Sequence, residues 1–124
     1  MVSPKDFRRI ALRMEDAIES AHMGHPDFRV SGRIFATLHP DHQWGMVKLT
    51  PDQQHRFVQE NPAGFMPESG AWGRAGCMRV RLDSVEEDTV GEAMTLAWQN
   101  TRKQAAGHSP PKRRSRPIRP ARKR

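Results

Sequence analysis

Basic and apolar residues alternate in the segment 77–82, where Arg79 and Arg81 lie between the apolar residues Met78, Val80 and Leu82. Successive side chains of a strand point to opposite faces, so this pattern predicts a strand with one buried face and one cationic face. The phosphate groups of a nucleic acid could bind to such a face. The alternative is a face that is only solvated, because arginine and lysine are the usual solvent-side residues of a half-buried strand.

Three glycines, Gly70, Gly73 and Gly76, recur around Trp72 immediately before this strand. Repeated glycine lets the backbone turn at positive φ or approach another element closely, so the sequence predicts a tight turn that leads directly into the strand. This is not the pattern of a phosphate loop, because a phosphate loop leads into a helix N-terminus. Trp72, or Trp44 on a preceding strand, could stack on bases near the cationic face.

Most of the positive charge lies near the C-terminus, in residues 107–124. The chain has 21 Lys and Arg, 14 Asp and Glu, and a formal net charge of +7. Eight of the basic residues and none of the acidic ones lie in this segment, so residues 1–106 carry 13 basic and 14 acidic side chains. Prolines interleaved with arginines exclude a helix or a core strand and predict a disordered tail. Such a tail would bind any polyanion by releasing counterions, without reading sequence.

Residues that could hold a metal or perform catalysis give weak patterns. The pairs His22 and His25, and His39 and His42, have a spacing that a metal could use, but no cysteine pair or acidic cluster completes a ligand set. We therefore expect no metal and no cofactor. The motif Gly-x-Ser-x-Gly is absent, and Cys77 at the start of a strand is more often a small buried hydrophobe than a nucleophile. We expect no enzymatic activity.

A single cysteine excludes an intrachain disulfide, which fits a reducing compartment. The N-terminal residues lack the apolar stretch of a signal peptide, and no apolar run approaches the roughly 20 residues needed to span a bilayer. We expect a cytoplasmic monomer without membrane insertion.

Helix-start patterns place the elements around these residues. Ser3 and Thr50 each precede a proline, and Ser84 precedes a glutamate by three residues, so each is a candidate N-cap. Ser31 and Gly32 are a candidate two-residue hairpin turn. The predicted elements are a helix at 4–16, strands at 17–22, 28–30, 33–38 and 44–49, a helix at 51–60, a strand at 77–82, and a helix from 84 to about 104 that Gly107 stops. These elements predict an α+β two-layer sandwich, an antiparallel sheet with helices on one face.

Four pieces of the sequence resemble the MmcQ/YjbR family. They are Gly24–Val30, Gly32–Leu38, Val47–Pro51, and the turn Gly70–Gly73 continuing to Val80-Arg81-Leu82. The resemblance covers roughly residues 3–100 and implies a CyaY-like (frataxin-like) fold, a bacterial source and a role in DNA binding. Cys77 departs from the pattern, since a second aromatic residue is expected there.

A frataxin-like fold raises the question of iron. The first helix carries Lys5, Arg8, Arg9 and Arg13 and lacks the acidic ridge that iron binding requires, so we expect no iron role.

The sequence therefore favours a domain at 1–106 that binds DNA or another polyanion, followed by a basic tail at 107–124 that adds non-specific affinity. The alternative is a protein-interaction or small-ligand module whose basic face is only solvated. The candidate nucleic-acid-binding residues are Arg29, Arg33, Lys48, Trp72, Arg74, Arg79 and Arg81 in the domain, and Lys112, Arg113, Arg114 and Arg116 in the tail.

Overall fold

A computed structural model describes residues 1–22, 24–39, 41 and 43–107. In chain order its elements are α1 (Pro4–Leu12), β1 (Ile18–His22), β2 (His25–Val30), β3 (Arg33–Leu38), β4 (Trp44–Lys48), α2 (Pro51–Glu60), β5 (Phe65–Pro67), α3 (Gly70–Arg74), β6 (Cys77–Arg81), a 3₁₀ turn (Leu82–Ser84) and α4 (Glu87–Gly107). The last helix ends one residue beyond the predicted domain boundary at 106. The predicted tail, with Lys112, Arg113, Arg114 and Arg116, lies outside the described residues apart from Gly107.

The six strands form one sheet in the order β1-β2-β3-β4-β6-β5, and every neighbouring pair is antiparallel. The first four strands follow one another in sequence because short links favour antiparallel neighbours. The chain then passes through α2 to the far edge, and β6 fills the place between β4 and β5. The predicted α+β fold with an antiparallel sheet is confirmed.

Helices cover one face of the sheet. Phe7 of α1, Met94 of α4 and Phe57 of α2 are fully buried and belong to one core with the inward side chains of the strands. Phe7 meets Phe28 of β2 with ring centroids 6.1 Å apart. Burying each such side chain stabilises the fold by about 1.5–3 kcal/mol, so the helix-covered face holds the sheet together.

The other face of the sheet carries no α1 or α4, and we call it the open face. Register and alternation identify its side chains, since directly paired residues of an antiparallel ladder share a face. On the four central strands they are His25, Asp27, Arg29, Ile34, Thr37, Trp44, Met46, Lys48, Cys77, Arg79 and Arg81.

The N-caps Ser3 and Thr50 are confirmed, and each forms a complete capping box. The hairpin turn is also confirmed, with Ser31 and Gly32 both at positive φ, 54° and 78°. Such values match the right-handed twist of the flanking strands.

The predicted end of α1 and start of α4 are wrong. The first helix ends at Leu12 rather than near Asp16, which lies at φ 62° where the chain reverses into β1. Ser84 caps no helix, because it lies in the 3₁₀ turn and its hydroxyl donates to Asp83 at 2.8 Å. The alternation of apolar and basic residues carries β6 only to Arg81, and α4 begins at Glu87.

The glycine-rich segment is a short helix, α3, rather than an open turn. A Cβ on Gly73 would lie 1.7 Å from the carbonyl oxygen of Glu68, and one on Gly76 would lie 2.0 Å from that of Leu49. The buried amide of Gln54 on α2 donates to the carbonyls of Gly73 and Cys77, each at 2.8 Å. These contacts fix α3 against the end of the sheet.

We predict that Gly76→Ala lowers the free energy of unfolding by about 2–4 kcal/mol, because the added Cβ meets backbone and the φ of +118° disfavours L side chains. Gly91→Ala in α4 is the matched control, since no heavy atom lies within 4 Å of its Cβ position. We expect that control to be neutral or to stabilise by about 1 kcal/mol. Urea denaturation measures both variants. Equal stabilities would contradict the close contact at Gly76.

Candidate functional site

The open face brings four of the predicted cations together. Arg29 lies on β2, Lys48 on β4, and Arg79 and Arg81 on β6. In the register of the central strands, Arg81 is paired with Trp44 and Arg79 with Met46. The alternation of β6 is as predicted, because Met78 and Val80 are fully buried on the helix-covered side.

Each of the three arginines on this face is held by a carboxylate. Arg29 forms a bidentate salt bridge with Asp27. Its Nε donates to Oδ1 at 2.8 Å, and its Nη2 donates to Oδ2 at 3.1 Å. Arg79 donates to Glu68, and Nε of Arg81 donates to Oδ1 of Asp83 at 3.0 Å. The face is therefore less cationic than the arginines alone suggest.

Asp27 is the most constrained member of these pairs. Its exposure is 0%, although it lies on the open face, and the Arg29 side chain above it remains 30% exposed. A buried carboxylate is tolerated only when it is paired and hydrogen-bonded. Arg29 therefore has a structural role, because it pairs with the buried Asp27 carboxylate. The sequence pattern around Arg29 does not indicate this role.

Tryptophans lie beside the cations of β4 and β6. The guanidinium carbons of Arg79 and Arg81 lie 5.4 and 5.8 Å from the ring centroid of Trp44, which is half-buried between strand neighbours. The ammonium of Lys48 lies 5.7 Å from the ring of Trp72. Trp72 is 63% exposed, so α3 presents this ring to solvent rather than to the core.

A cleft of about 420 Å³ lies on the open face beside α3. Its lining is mainly apolar, and the residues are His25, Ile34, Thr37, Met46, Lys48, Glu68, Ser69, Trp72 and Cys77. No local sequence pattern indicates this cleft, because its floor comes from four strands, β2, β3, β4 and β6, and its wall from the short helix α3.

Cys77 lies in the cleft but is only 5% exposed. Burial raises the pKa of its thiol above the ordinary value, and this outweighs the opposing influence of the Lys48 charge. The thiol is therefore protonated at neutral pH, as expected of a small buried hydrophobe.

Lys48 and Arg74 are the cations of this region that make no ion pair within the described part of the chain. Arg74 is exposed in the last turn of α3, two residues after Trp72. Arg33 does not lie on the open face with Lys48. Its strand partner is the core residue Val30, so Arg33 begins β3 on the side that the helices cover.

The described residues contain no group of three or more His, Cys, Asp or Glu side chains that could hold a metal ion. Of the two predicted histidine pairs, one residue, His39, approaches Asp41 with Nδ1 and Oδ1 3.2 Å apart. Side-chain geometry at His22 and the position of His42 lie outside the described structure. Among the helices described, none has the length and apolar content to cross a bilayer.

Comparison with known proteins places the chain among similar structures. A family model described as YjbR matches residues 12–100. The crystal structure of the Deinococcus radiodurans protein DR2400, with a DUF419 domain, is similar with a TM-score of 0.68 and 18% identity, over 86% of this chain and 89% of that one. A Pseudomonas syringae protein is similar with a TM-score of 0.64 and 15% identity, over 79% of this chain and 97% of that one. No curated protein matches the sequence. At these identities the two structures show a shared fold and nothing about binding.

We predict that Arg29→Ala lowers the free energy of unfolding by about 2–4 kcal/mol, because it leaves the Asp27 carboxylate buried and unpaired. Arg33→Ala is the matched control from the same hairpin, and we expect its effect to stay within about 0.5 kcal/mol. Chemical denaturation of both variants decides the point. Similar stabilities would mean that Arg29 is an ordinary surface residue.

Glu68 gives a prediction for the dependence of stability on pH. Partial burial would raise the pKa of Glu68, but the hydrogen bonds from Arg79 and from the Ser69 backbone outweigh it and lower that pKa below 4.5. A depressed carboxyl pKa stabilises the fold at pH values above the unfolded pKa, and this stability is lost as the pH falls through the folded value.

We expect the unmodified chain to exceed Glu68→Gln in stability by about 0.5–1 kcal/mol at neutral pH, because the ion pair is partly exposed. The excess should shrink as the pH is lowered below 4.5. Denaturation at a series of pH values measures it, with Glu60→Gln at an exposed position as control. An excess that grows on acidification would contradict the Arg79–Glu68 pair.

Proposed function

The chain belongs to the YjbR family, and from this premise we propose that it is a non-enzymatic module that binds nucleic acid through its open face. The observation that supports this most is the exposed ring of Trp72 beside Lys48 and close in sequence to Arg74. Cations that track a phosphate backbone, together with an aromatic ring on which a base can stack, are the parts of a single-strand binding surface.

The balance of charge around the open face also supports binding to an anion. Five cations lie on this face or on α3, and the three acids that pair with them leave an excess of positive charge. The cations are Arg29, Lys48, Arg74, Arg79 and Arg81, and the acids are Asp27, Glu68 and Asp83.

Arg79 and Arg81 keep N–H donors that can bind phosphate even while they form ion pairs. A guanidinium carries five N–H donors. Arg79 uses only Nη2 to contact its acid, and Arg81 uses only Nε. The pairs hold the two side chains in place, so less conformational entropy is lost when a phosphate accepts the remaining donors. The partly neutralised charge makes the attraction weaker than that of a free arginine cluster.

The tail would add to this affinity without specificity. Its eight basic residues can neutralise phosphates one by one, so its contribution should fall steeply with salt. We propose that the open face positions the nucleic acid and that the tail increases the lifetime of the complex. We also propose that the protein acts as a monomer in the cytoplasm, where a single thiol needs no partner.

A second candidate function is a small-ligand module whose basic residues are only solvated. The mainly apolar cleft favours it, since its volume of about 420 Å³ lies within the roughly 300–1,000 Å³ of small-molecule sites. The salt dependence of nucleic-acid binding separates the two functions, because a solvated face contributes nothing to it.

We predict that Lys48→Gln with Arg74→Gln reduces the slope of log K against log salt by about 1.4–1.8, or about 0.7–0.9 for each lost phosphate contact. Labelled single-stranded and duplex DNA are titrated with the full chain and with residues 1–107, which contain every element and the whole described core. The same reduction should appear with and without the tail.

The matched control is Lys5→Gln with Arg13→Gln, which removes the same two charge types from the helix-covered side. This control should leave the slope unchanged. If both double variants change it equally, net charge rather than the open face determines binding. If residues 1–107 show no salt-dependent binding, only the tail binds and the open-face function is wrong.

A further inference from the structure

We propose that the cleft beside α3 receives one unstacked nucleobase, with the phosphate of that nucleotide bound by Lys48. This inference rests on the proposed function and names the part of the nucleic acid that the open face would recognise. It assigns a defined pocket to the base. The surrounding cations alone would bind only phosphate groups, which are the same in every nucleotide.

The lining of the cleft suits a planar aromatic ring. Ile34 and Met46 form an apolar floor from β3 and β4, and Trp72 of α3 forms a wall. A base stacked on a tryptophan face gains dispersion and buries apolar area, and this gain is available to every base. Methionine is flexible and polarizable, so Met46 can adapt its contact to the ring that enters.

Polar groups at the cleft would meet the edge of the base and its phosphate. Thr37 and Ser69 line the cleft, and the Ser69 side chain makes no capping hydrogen bond to α3. A hydroxyl donates and accepts, so these two suit the mixed edges of a nucleobase. Lys48 has no carboxylate partner in the described chain and lies at the same cleft, where its ammonium can bind a phosphate.

The cleft is held in shape before any ligand enters. The backbone N–H of Glu68 donates to the carbonyl of Cys77 at 3.0 Å, which closes the loop that carries α3. Gln54 joins both Gly73 and Cys77 from the opposite side, and the carboxylate of Glu68 is tied to Arg79. A preformed wall avoids the ordering cost that a flexible loop would incur on binding.

The geometry therefore predicts a preference for single strands. In a duplex each base is stacked and paired, so entry into the cleft would require that base to be extruded at a cost. In a single strand the same base is already free to enter. A free nucleotide carries the same chemistry and is distinguished by a separate competitor.

The test compares two labelled strands of equal length with the full chain. One strand is oligothymidylate, and the other has the same number of phosphates but no bases. Both strands present the same number of phosphate charges to the tail and to the cations of the open face. A difference in affinity between the two strands therefore comes from the bases alone. We expect the base-bearing strand to bind about fivefold tighter or more. Trp72→Ala and Ser69→Leu should each remove this difference, the first by deleting the wall and the second by narrowing the cleft.

Met66→Ala is the matched control, because Met66 is exposed on the open face at β5 and lies outside the cleft. It should keep the preference for bases. Equal binding of both strands by the unmodified chain would overturn the cleft proposal while salt-dependent binding by the open face still holds. Failure to bind either strand would overturn both proposals.

Two further outcomes locate the ligand. A base preference that persists in Trp72→Ala and Ser69→Leu would place recognition elsewhere on the protein and overturn the cleft. Unlabelled thymidine monophosphate is the competitor for the source of the base. We expect it to compete far more weakly than the strand, and equal competition would assign the cleft to a free nucleotide instead of a strand.

Discussion

Close backbone contact at Gly73 and Gly76 determines where α3 lies, and the open face depends on that position. Without side chains at these two glycines the segment can approach the backbone at Glu68 and Leu49, which any Cβ would prevent. Gln54 then completes the attachment from α2. The result places Trp72 above the strands instead of in the core, and a cleft exists only because of that placement.

The basic residues of the open face serve two purposes, since some stabilise buried or nearby carboxylates and others are available to bind a ligand. Asp27 is buried, so Arg29 must remain beside it, and this arginine is the least available for a ligand. Arg79 and Arg81 are partly committed to acids, whereas Lys48 and Arg74 make no ion pair in the described structure. Cations of similar appearance in sequence therefore differ in what they can do, and the difference comes from which carboxylate each one meets.

Local patterns predicted much of the fold and little of the site. The caps at Ser3 and Thr50, the turn at Ser31–Gly32 and the alternation around Arg79 are set by neighbours in sequence, and each was predicted correctly. Strand β5 is three residues long, too short for a pattern, and α3 was missed because glycine weakens any helix prediction. The ion pair of Arg79 with Glu68 and the side of the sheet taken by Arg33 depend on tertiary register, which no local pattern encodes.

The indole N–H signals of the three tryptophans offer the most direct measurement, recorded by NMR while single-stranded DNA is added to the full chain. Trp72 and Trp44 lie on the open face, whereas the Trp98 indole donates to the Glu15 carbonyl on the helix-covered side at 2.9 Å. Binding through the open face predicts that the Trp72 signal moves most, that Trp44 follows, and that Trp98 stays in place. A titration that saturates with all three signals unmoved, or that moves Trp98 alone, would contradict it.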